Sequence, residues 1–574
     1  MKRILEQALE RAVEELLADY GVEHEGAAVP PVTLTRPRQR EHGDYAANIA
    51  MPLAGRVGKK PREVAERLLA LVQWPPEVER AEIAGPGFIN LHLHRASEAQ
   101  ALARIVREGE DYGRVAAGPE APSVCVEYVS ANPTGPMHVG HGRGAVVGDA
   151  LAGVLAARGM RVHREYYIND AGAQIDVLAR SLWFRMRELA GEAEGETLPE
   201  DAYPGEYVVE AARTLLADQP YAEWKAMDAD ARHERLRERG VALMMDMIRD
   251  DLRALGIRFD AYFSEKSLHD SGKVRALIER LKEQGLVYRG TLPPPKGKEV
   301  ADYRPVEQWL FRTTDFGDDV DRPLAKQDGT PTYFAADIAY HMDKHERGFD
   351  RLVDVWGADH GGYVKRVQAA MEALTGRKRQ PEVVLVQMVN LTRDGKPVRM
   401  SKRAGTFVTL REVVDEVGAD AVRFNFLTRR AESQLDFDLE AAKQQSDENP
   451  VYYVQYAHAR VCAILRRAAE AGLTPAEPEA VDATRLVEPE ESELVKRLLA
   501  WPETLETAAT RLEPYRVATY LMDLAAALHR CYHRHRVMVE DEALAQARLL
   551  LMRAVKTVLA GGLGVLGVNA PETM

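Results

Sequence analysis

His138-Val139-Gly140-His141 sets two imidazoles three residues apart where a short, largely apolar run, SVCVEYV from Ser123, passes through the loop SANPTGP into a helical period, VGHGRGAVVGDALAGVLAARG. Rings at that spacing project from the first turn of a helix, whose free N–H groups and positive dipole end favour a phosphate. Gly140 removes a side chain where a flat base or a sugar would approach the backbone. Two plainer readings compete: a polar helix start, and a metal site, for which the motif lacks a third ligand or an acidic partner. Further along stands a basic loop, RDGKPVRMSKRAGTFVTL from Arg393, containing Arg399, Met400, Ser401, Lys402 and Arg403. Its glycines allow movement, and its cations could close over a triphosphate and stabilise charge building on a leaving pyrophosphate. Taken alone, it also reads as a solvated surface loop.

Elements must hold these groups in place. The run from Ser123, the helix closed by Gly159 and a second strand, RVHREYYIND, form a βαβ unit and hence a parallel sheet, with further strands expected at RLVDVWG near residue 354 and EVVLVQMV near residue 385. A helical insertion is expected over roughly 175 to 290, ending near a proline cluster at Pro293 to Pro295. Residues 1–115 read as a small α+β module that opens on an amphipathic helix and contains the turn-and-strand AGPGFINLHL. Residues 116–448 hold the sheet, the insertion and the signature loop at 393–410, and residues 449–574 read as a helix bundle.

The chain has 574 residues, 46% hydrophobic and 29% charged, enough for about three to five domains. The longest nearly apolar run, Val558 to Val568, falls short of the roughly 20 residues that a membrane span needs. The start, MKRILEQALERAVEELL, interleaves acids with its apolar positions and reads as a surface helix, so the expected location is the cytoplasm. Three scattered cysteines, Cys125, Cys462 and Cys531, exclude a disulfide framework and a thiolate zinc site. A net charge of −13 argues against indiscriminate polyanion binding, while a local basic face could still hold a nucleic acid.

HVGH after the first strand and RMSKR well downstream resemble the HIGH and KMSKS signatures of class I aminoacyl-tRNA synthetases, whose catalytic domain is a Rossmann-like parallel sheet. Longer stretches narrow the family. VEYVSANPTGPMHVGHGRGAVVGDAL, YYINDAGAQI, TYFAADIAYH, VWGADHGGY, NPVYYVQYAHAR and the ending VLAGGLGVLGVNAPETM are similar to arginyl-tRNA synthetases of the bacterial type, and REHGDYAANIAM and IAGPGFIN resemble their N-terminal module.

The resemblance implies ATP-dependent attachment of arginine to its tRNA through an arginyl-adenylate, with Mg²⁺ accompanying ATP, no protein metal site, a monomer, and activation only when tRNA is bound. His138, His141 and Lys402 match the catalytic positions. Gly140, Gly357, Asp359, His360, Met400, Ser401 and Lys402 match the ATP side. Glu127, Asn132, Tyr333 and Asp337 match the arginine side, where a guanidinium with its planar fork of donors requires carboxylates. Asn169, Asp170 and Gln174 match an element beside the site and carry no assigned role. In the bundle, Tyr452, Tyr453, Tyr456, Arg460, Arg534 and Arg536 are candidates for stacking on anticodon bases and pairing with phosphates. Arg36, Arg38 and Arg40 are candidates for the tRNA body. There are departures: many relatives carry a lysine just before HIGH and lack the second lysine of KMSKS, whereas here Gly135 precedes HVGH, Lys402 is kept, and Arg399 replaces the first lysine.

Two rivals remain at this point. One is another class I enzyme, a synthetase for glutamate or cysteine or a small HIGH-type nucleotidyltransferase. The other is a synthetase-like RNA-binding protein without activity, against which both histidines and Lys402 speak.

Overall fold

The computed structural model describes residues 1–22, 30–37, 42–292, 306–398 and 408–574. Its centre is a five-stranded parallel sheet in the order Glu382–Val386, Arg351–Gly357, Ser123–Glu127, Arg161–Ile168 and Ala261–Ser264. The four strands foreseen from their apolar runs are all in it, and the chain diverges to either side of the central strand Ser123–Glu127. In an open sheet of this kind the crevice beyond the carboxyl ends of the strands is where ligands bind. The helix Val139–Ala157 packs closely on the sheet, and a Cβ on Gly148 would stand 2.3 Å from the Tyr128 ring, so that position must be glycine. Gly159 takes φ +79° immediately past its end.

The stretch expected as a helical insertion over roughly 175 to 290 needs correction. Helices Ala173–Leu189, Glu206–Asp218, Tyr221–Ala226 and Ala229–Ala254 do form a layer, but Ala261–Ser264 returns to the sheet as its edge strand. Helices Glu265–Asp270 and Lys273–Glu283 follow, and then an antiparallel sheet of Val287–Gly290, Gln308–Phe311 and Arg322–Ala325. Strands of four residues are too short to show a period of two against their helical surroundings. Pro293 to Pro295 lie outside the described residues.

At the N-terminus, helix Lys2–Asp19 buries Leu5, Leu9, Ala12, Val13 and Leu16 against a four-stranded antiparallel sheet, an α+β module. The helix Arg95–Glu108, read from sequence as part of that module, buries Leu102 and Ile105 in the core that the central sheet shares with the C-terminal helices. Arg36, a candidate for the tRNA body, also bridges regions of the chain. Its guanidinium reaches the Tyr45 hydroxyl (2.8 Å), the Leu499 carbonyl and Glu503 (3.3 Å each), so it ties the N-terminal module to the bundle. Arg38 and Arg40 lie outside the described residues.

The C-terminal helices Pro450–Glu470, Pro489–Leu499, Trp501–Arg511, Tyr515–Arg534 and Glu542–Val565 make the expected bundle. Its apolar faces continue into the underside of the sheet: Val124, Val147 and Leu151 share one core with Leu494, Leu521 and Val558, and the Trp501 indole donates to the Tyr112 carbonyl at 3.1 Å. Among the described residues no helix is long and apolar enough to cross a membrane.

Candidate active site

His138 is the N-cap of Val139–Ala157, and the two imidazoles perform a reciprocal cap: the His141 N–H donates to His138 Nδ1 and the His138 N–H to His141 Nδ1, both at 3.4 Å. The rings stack with centroids 3.6 Å apart. The cap fixes the first turn of the helix after the carboxyl end of the central strand, where helix N–H groups favour an anion. A Cβ on Gly140 would meet the His138 ring at 3.0 Å and Met388 at 3.3 Å, so glycine keeps a flat surface between them. Arg399, Met400, Ser401 and Lys402 lie outside the described residues. The downstream flank of their loop does not: Thr409 forms a bridge with His138, and the Leu410 N–H donates to the Met137 carbonyl at 2.8 Å. Distant in sequence, the HVGH turn and the Thr409–Leu410 stretch are therefore neighbours in space.

Across the carboxyl end of the sheet, parallel register aligns Asp354 with Glu127 and Glu127 with Glu165 on three adjacent strands. Three carboxylates side by side repel one another unless cations intervene. The helix Tyr333–Glu346 and its C-cap supply them, because residues 333, 337, 340, 344 and 347 share one face. Lys344, with 0% exposure on its side chain, places Nζ 2.6 Å from Glu127 Oε2 and 2.9 Å from Asp354 Oδ1. Burial would lower its pKa, but the two carboxylates hold it well above its ordinary value. Arg347 grips Glu165 with both terminal nitrogens at 2.6 and 2.7 Å, and the Tyr340 hydroxyl donates to the same carboxylate at 2.8 Å. Glu127, His341 and Asp354 have the spacing of a metal site, with ligand atoms within 4.8 Å of one another, and Lys344 Nζ provides a cation there.

Beside this network lies a second group of acids, Asp337 and Glu265, the latter with His269 Nε2 3.7 Å from its Oε1. Asp337, half-buried, accepts a hydrogen bond from the Tyr363 hydroxyl through Oδ2. Burial pushes its pKa up to about 6, opposed by that hydroxyl and by His341 and aided by the charge of Glu127. Glu265 is pushed up to about 7 by burial and by the charge of Asp337. The Tyr167 hydroxyl is buried beside Glu265, and burial together with the charges of Glu265, Asp337 and Glu127 raises its pKa. Tyr333 is 66% exposed at the start of the same helix. Two carboxylates with raised pKa values are suited to receive a buried forked cation.

The turn from Glu127 to Asn132 is strained: Val129 and Ser130 have φ +69° and +40°, an expensive conformation for a β-branched residue. Ser130 Oγ donates to Glu127 Oε1 (2.8 Å) and accepts the Tyr167 N–H (3.1 Å), and the Tyr166 hydroxyl donates to the Ala131 carbonyl (2.7 Å), which together hold the turn. Asn132 is exposed and donates to Gln174 Oε1 at 2.9 Å. Asp170 accepts from Ser264 Oγ and the Lys266 N–H, and so holds the chain that presents Glu265. Gly357, Asp359 and His360 cluster at the carboxyl end of their strand, with both side chains largely in solvent and 3.6 Å apart.

In the bundle, Tyr452 and Tyr456 stack at 5.8 Å, Tyr456 stacks on His529 at 6.0 Å, Tyr453 lies 5.0 Å from His529, and the Arg460 guanidinium sits 4.4 Å over Tyr532. Burial and the nearby Arg460 hold His529 below its ordinary pKa, which keeps this ring neutral. Arg460, Arg467, Tyr532, His533 and Arg536 line an open cleft of about 450 Å³. Arg534 is instead paired with Glu490.

Sequence reasoning missed Lys344, Arg347, Tyr363, Tyr167 and Glu265. The first two left a signal, a lysine and an arginine on the face that begins with Tyr333 and Asp337. Glu265 left none, since its place depends on the unforeseen edge strand.

Comparisons agree with this geometry over the whole chain. The family model described as "tRNA synthetases class I (R), catalytic domain" matches residues 102–448, "DALR anticodon binding domain" matches 454–574, and "Arginyl tRNA synthetase N terminal domain" matches 1–93. An arginine–tRNA ligase of Magnetococcus marinus is 49% identical over 579 residues, all of both chains, and one of Azorhizobium caulinodans is 51% identical over 565 residues, 95% of this chain and 94% of that one. The solved arginyl-tRNA synthetase of Thermus thermophilus shares the fold at TM-score 0.76 and 24% identity over the full length of both chains. With catalytic, anticodon-binding and N-terminal regions all matched in order, and full-length relatives at about half identity, the chain belongs to the arginyl-tRNA synthetase family of class I.

Proposed function

We infer that this protein attaches arginine to its tRNA at the expense of ATP. The observation that carries the reading is the pair of acids Asp337 and Glu265 beside the Glu127–Lys344–Asp354 network, on the same sheet whose central strand leads into the HVGH turn. Asp337 and Glu265 receive the guanidinium, Glu127 braces the turn behind them, Tyr333 closes the mouth, and Asn132 holds the α-amino group. His138, His141 and the helix N–H groups meet the phosphates, Gly140 underlies the base, Gly357, Asp359 and His360 border the ribose and adenine, and Met400, Ser401 and Lys402 close over the pyrophosphate.

The arginine carboxylate attacks the α-phosphorus of ATP and pyrophosphate leaves; the terminal adenosine hydroxyl of tRNA then attacks the adenylate carbonyl and AMP leaves. No covalent enzyme intermediate is required, and rate comes from positioning and from donors aimed at growing phosphate charge. Mg²⁺ enters as the counter-ion of ATP. The Tyr452, Tyr453, Tyr456 and Arg460 ladder and the Arg536 cleft hold anticodon bases and phosphates. We place the enzyme in the cytoplasm as a monomer.

Arginine affinity should rise with pH between about 5 and 8. The free pocket carries its acids with raised pKa values, about 6 and about 7, so guanidinium must displace protons at low pH; affinity falls as pH drops through those values, by up to about tenfold per unit for each proton. Calorimetric titration across that range checks it, and a flat profile would remove the two acids from the site. The activity itself is tested by exchange of pyrophosphate into ATP. With arginine and tRNA present, exchange should be rapid, and with tRNA withheld, negligible; no arginine-driven exchange under either condition would overturn the proposal.

A further inference from the structure

The loop between the central strand and the HVGH helix serves both halves of the site, with Asn132 near its start and His138 at its end. Each long helix of the 173–254 layer holds it at a separate point. Gln174, on Ala173–Leu189, accepts from Asn132 at 2.9 Å. Tyr207, on Glu206–Asp218, donates its hydroxyl to the Thr134 carbonyl at 2.9 Å. Asp251, on Ala229–Ala254, accepts the Met137 N–H at 3.2 Å. Tyr207 is the middle contact, and its ring fills space left by two glycines. A Cβ on Gly135 would lie 2.7 Å from Tyr207 Cζ, and one on Gly205 would lie 2.3 Å from Cε1. Neither position accepts a side chain unless the ring or the loop moves. Burial raises the pKa of the hydroxyl, so it remains a donor throughout the working pH range.

We propose that Tyr207 is a positioning residue for amino-acid activation: it pins the Asn132–Met137 loop to the helical layer and thereby sets the separation between the amino-acid end and the nucleotide end of the site. Tyr207 touches neither substrate in this scheme and acts through Thr134 and Gly135. The inference rests on the assignment of HVGH to ATP.

The test is a double-mutant cycle in the full-length enzyme with tRNA present, read as kcat and the KM for each substrate. Tyr207→Ala should raise the KM for ATP and lower kcat by roughly tenfold each, because displacement of reacting groups by about 1 Å costs up to 10² in rate. The KM for tRNA and the unfolding temperature should stay near wild type, which a general loss of structure would not permit. Tyr207→Phe keeps the ring and loses one neutral hydrogen bond, so it should recover to within several-fold of wild type. Gly135→Ala should impair the wild-type enzyme clearly more than it impairs Tyr207→Ala, since the backbone cost of a side chain at φ +159° remains in both while the clash with the ring is gone. Independent, multiplying losses in the cycle would overturn the pin. Coupled losses confined to the KM for arginine would overturn the assignment of HVGH to ATP while leaving the contact itself in place. Should Tyr207→Ala fail to fold, Tyr207→Leu takes its place in the cycle with the same expected coupling.

Discussion

Asp337→Asn should lower arginine affinity in the tRNA-bound enzyme by roughly two to three orders of magnitude, the equivalent of about 3 to 5 kcal/mol for a buried cation that loses its charged partner. The geometry dictates which atom changes. Asp337 Oδ2 already accepts the Tyr363 hydroxyl, which leaves Oδ1 for the ligand. An asparagine will keep its oxygen on that hydroxyl and turn its NH₂ towards the guanidinium, so donors face donors. Citrulline, neutral and nearly isosteric, should lose far less than arginine, and ATP affinity should barely move. Thermal stability should not suffer, because burial makes ionised Asp337 unfavourable in the folded chain: its raised pKa means that stability falls as pH rises from the ordinary carboxylate range through about 6, and the amide removes that dependence. Competition binding with both ligands, wild type against variant, makes the measurement. Equal losses for arginine and citrulline, or no loss for arginine, would reduce Asp337 to a solvated helix acid.

The second large effect is on rate. His138→Ala, His141→Ala and Lys402→Ala should each slow adenylate formation by about 10² to 10³ while leaving arginine binding nearly intact, since preorganised donors matter most when phosphate charge has grown. The two histidines carry an extra cost: each completes the other's cap, so either alanine also loosens the first helical turn, by about 1 kcal/mol for a cap of ordinary strength. Lys402 should be the most sensitive of the three, because Gly135 leaves no lysine ahead of HVGH to share its work. Single-turnover rates with arginine and tRNA saturating separate this from binding. A Lys402→Ala enzyme with unimpaired adenylate formation would take the RMSKR loop out of the chemistry.

Motifs and long periodic elements were legible from sequence, and short or long-range features were not. The strands at Ser123, Arg161, Arg351 and Glu382 announced themselves as apolar, β-branched runs, and the glycine-rich helix after HVGH as a long period closed by Gly159. Ala261–Ser264 did not, because four residues carry no usable period, and with it went Glu265 and the second acid of the pocket. Glu127 was picked out by its place before the loop, but its partners were hidden: the row Asp354, Glu127 and Glu165 exists only through parallel register between strands far apart in the chain, and Lys344 is intelligible only once that row is seen. The partner of Arg36 was hidden in the same way, since Glu503 lies at the other end of the sequence. Local chemistry is written locally, whereas charge compensation across a sheet or between domains is fixed by topology.

Pocket and signature together commit the enzyme to one amino acid, and the direct measurement is charging of total tRNA with each of the twenty amino acids in the presence of ATP and Mg²⁺. Arginine alone should be attached, to acid-precipitable tRNA, with AMP and pyrophosphate released in step. Charging with glutamate or cysteine and none with arginine, or binding of tRNA without charging by any amino acid, would contradict the assignment.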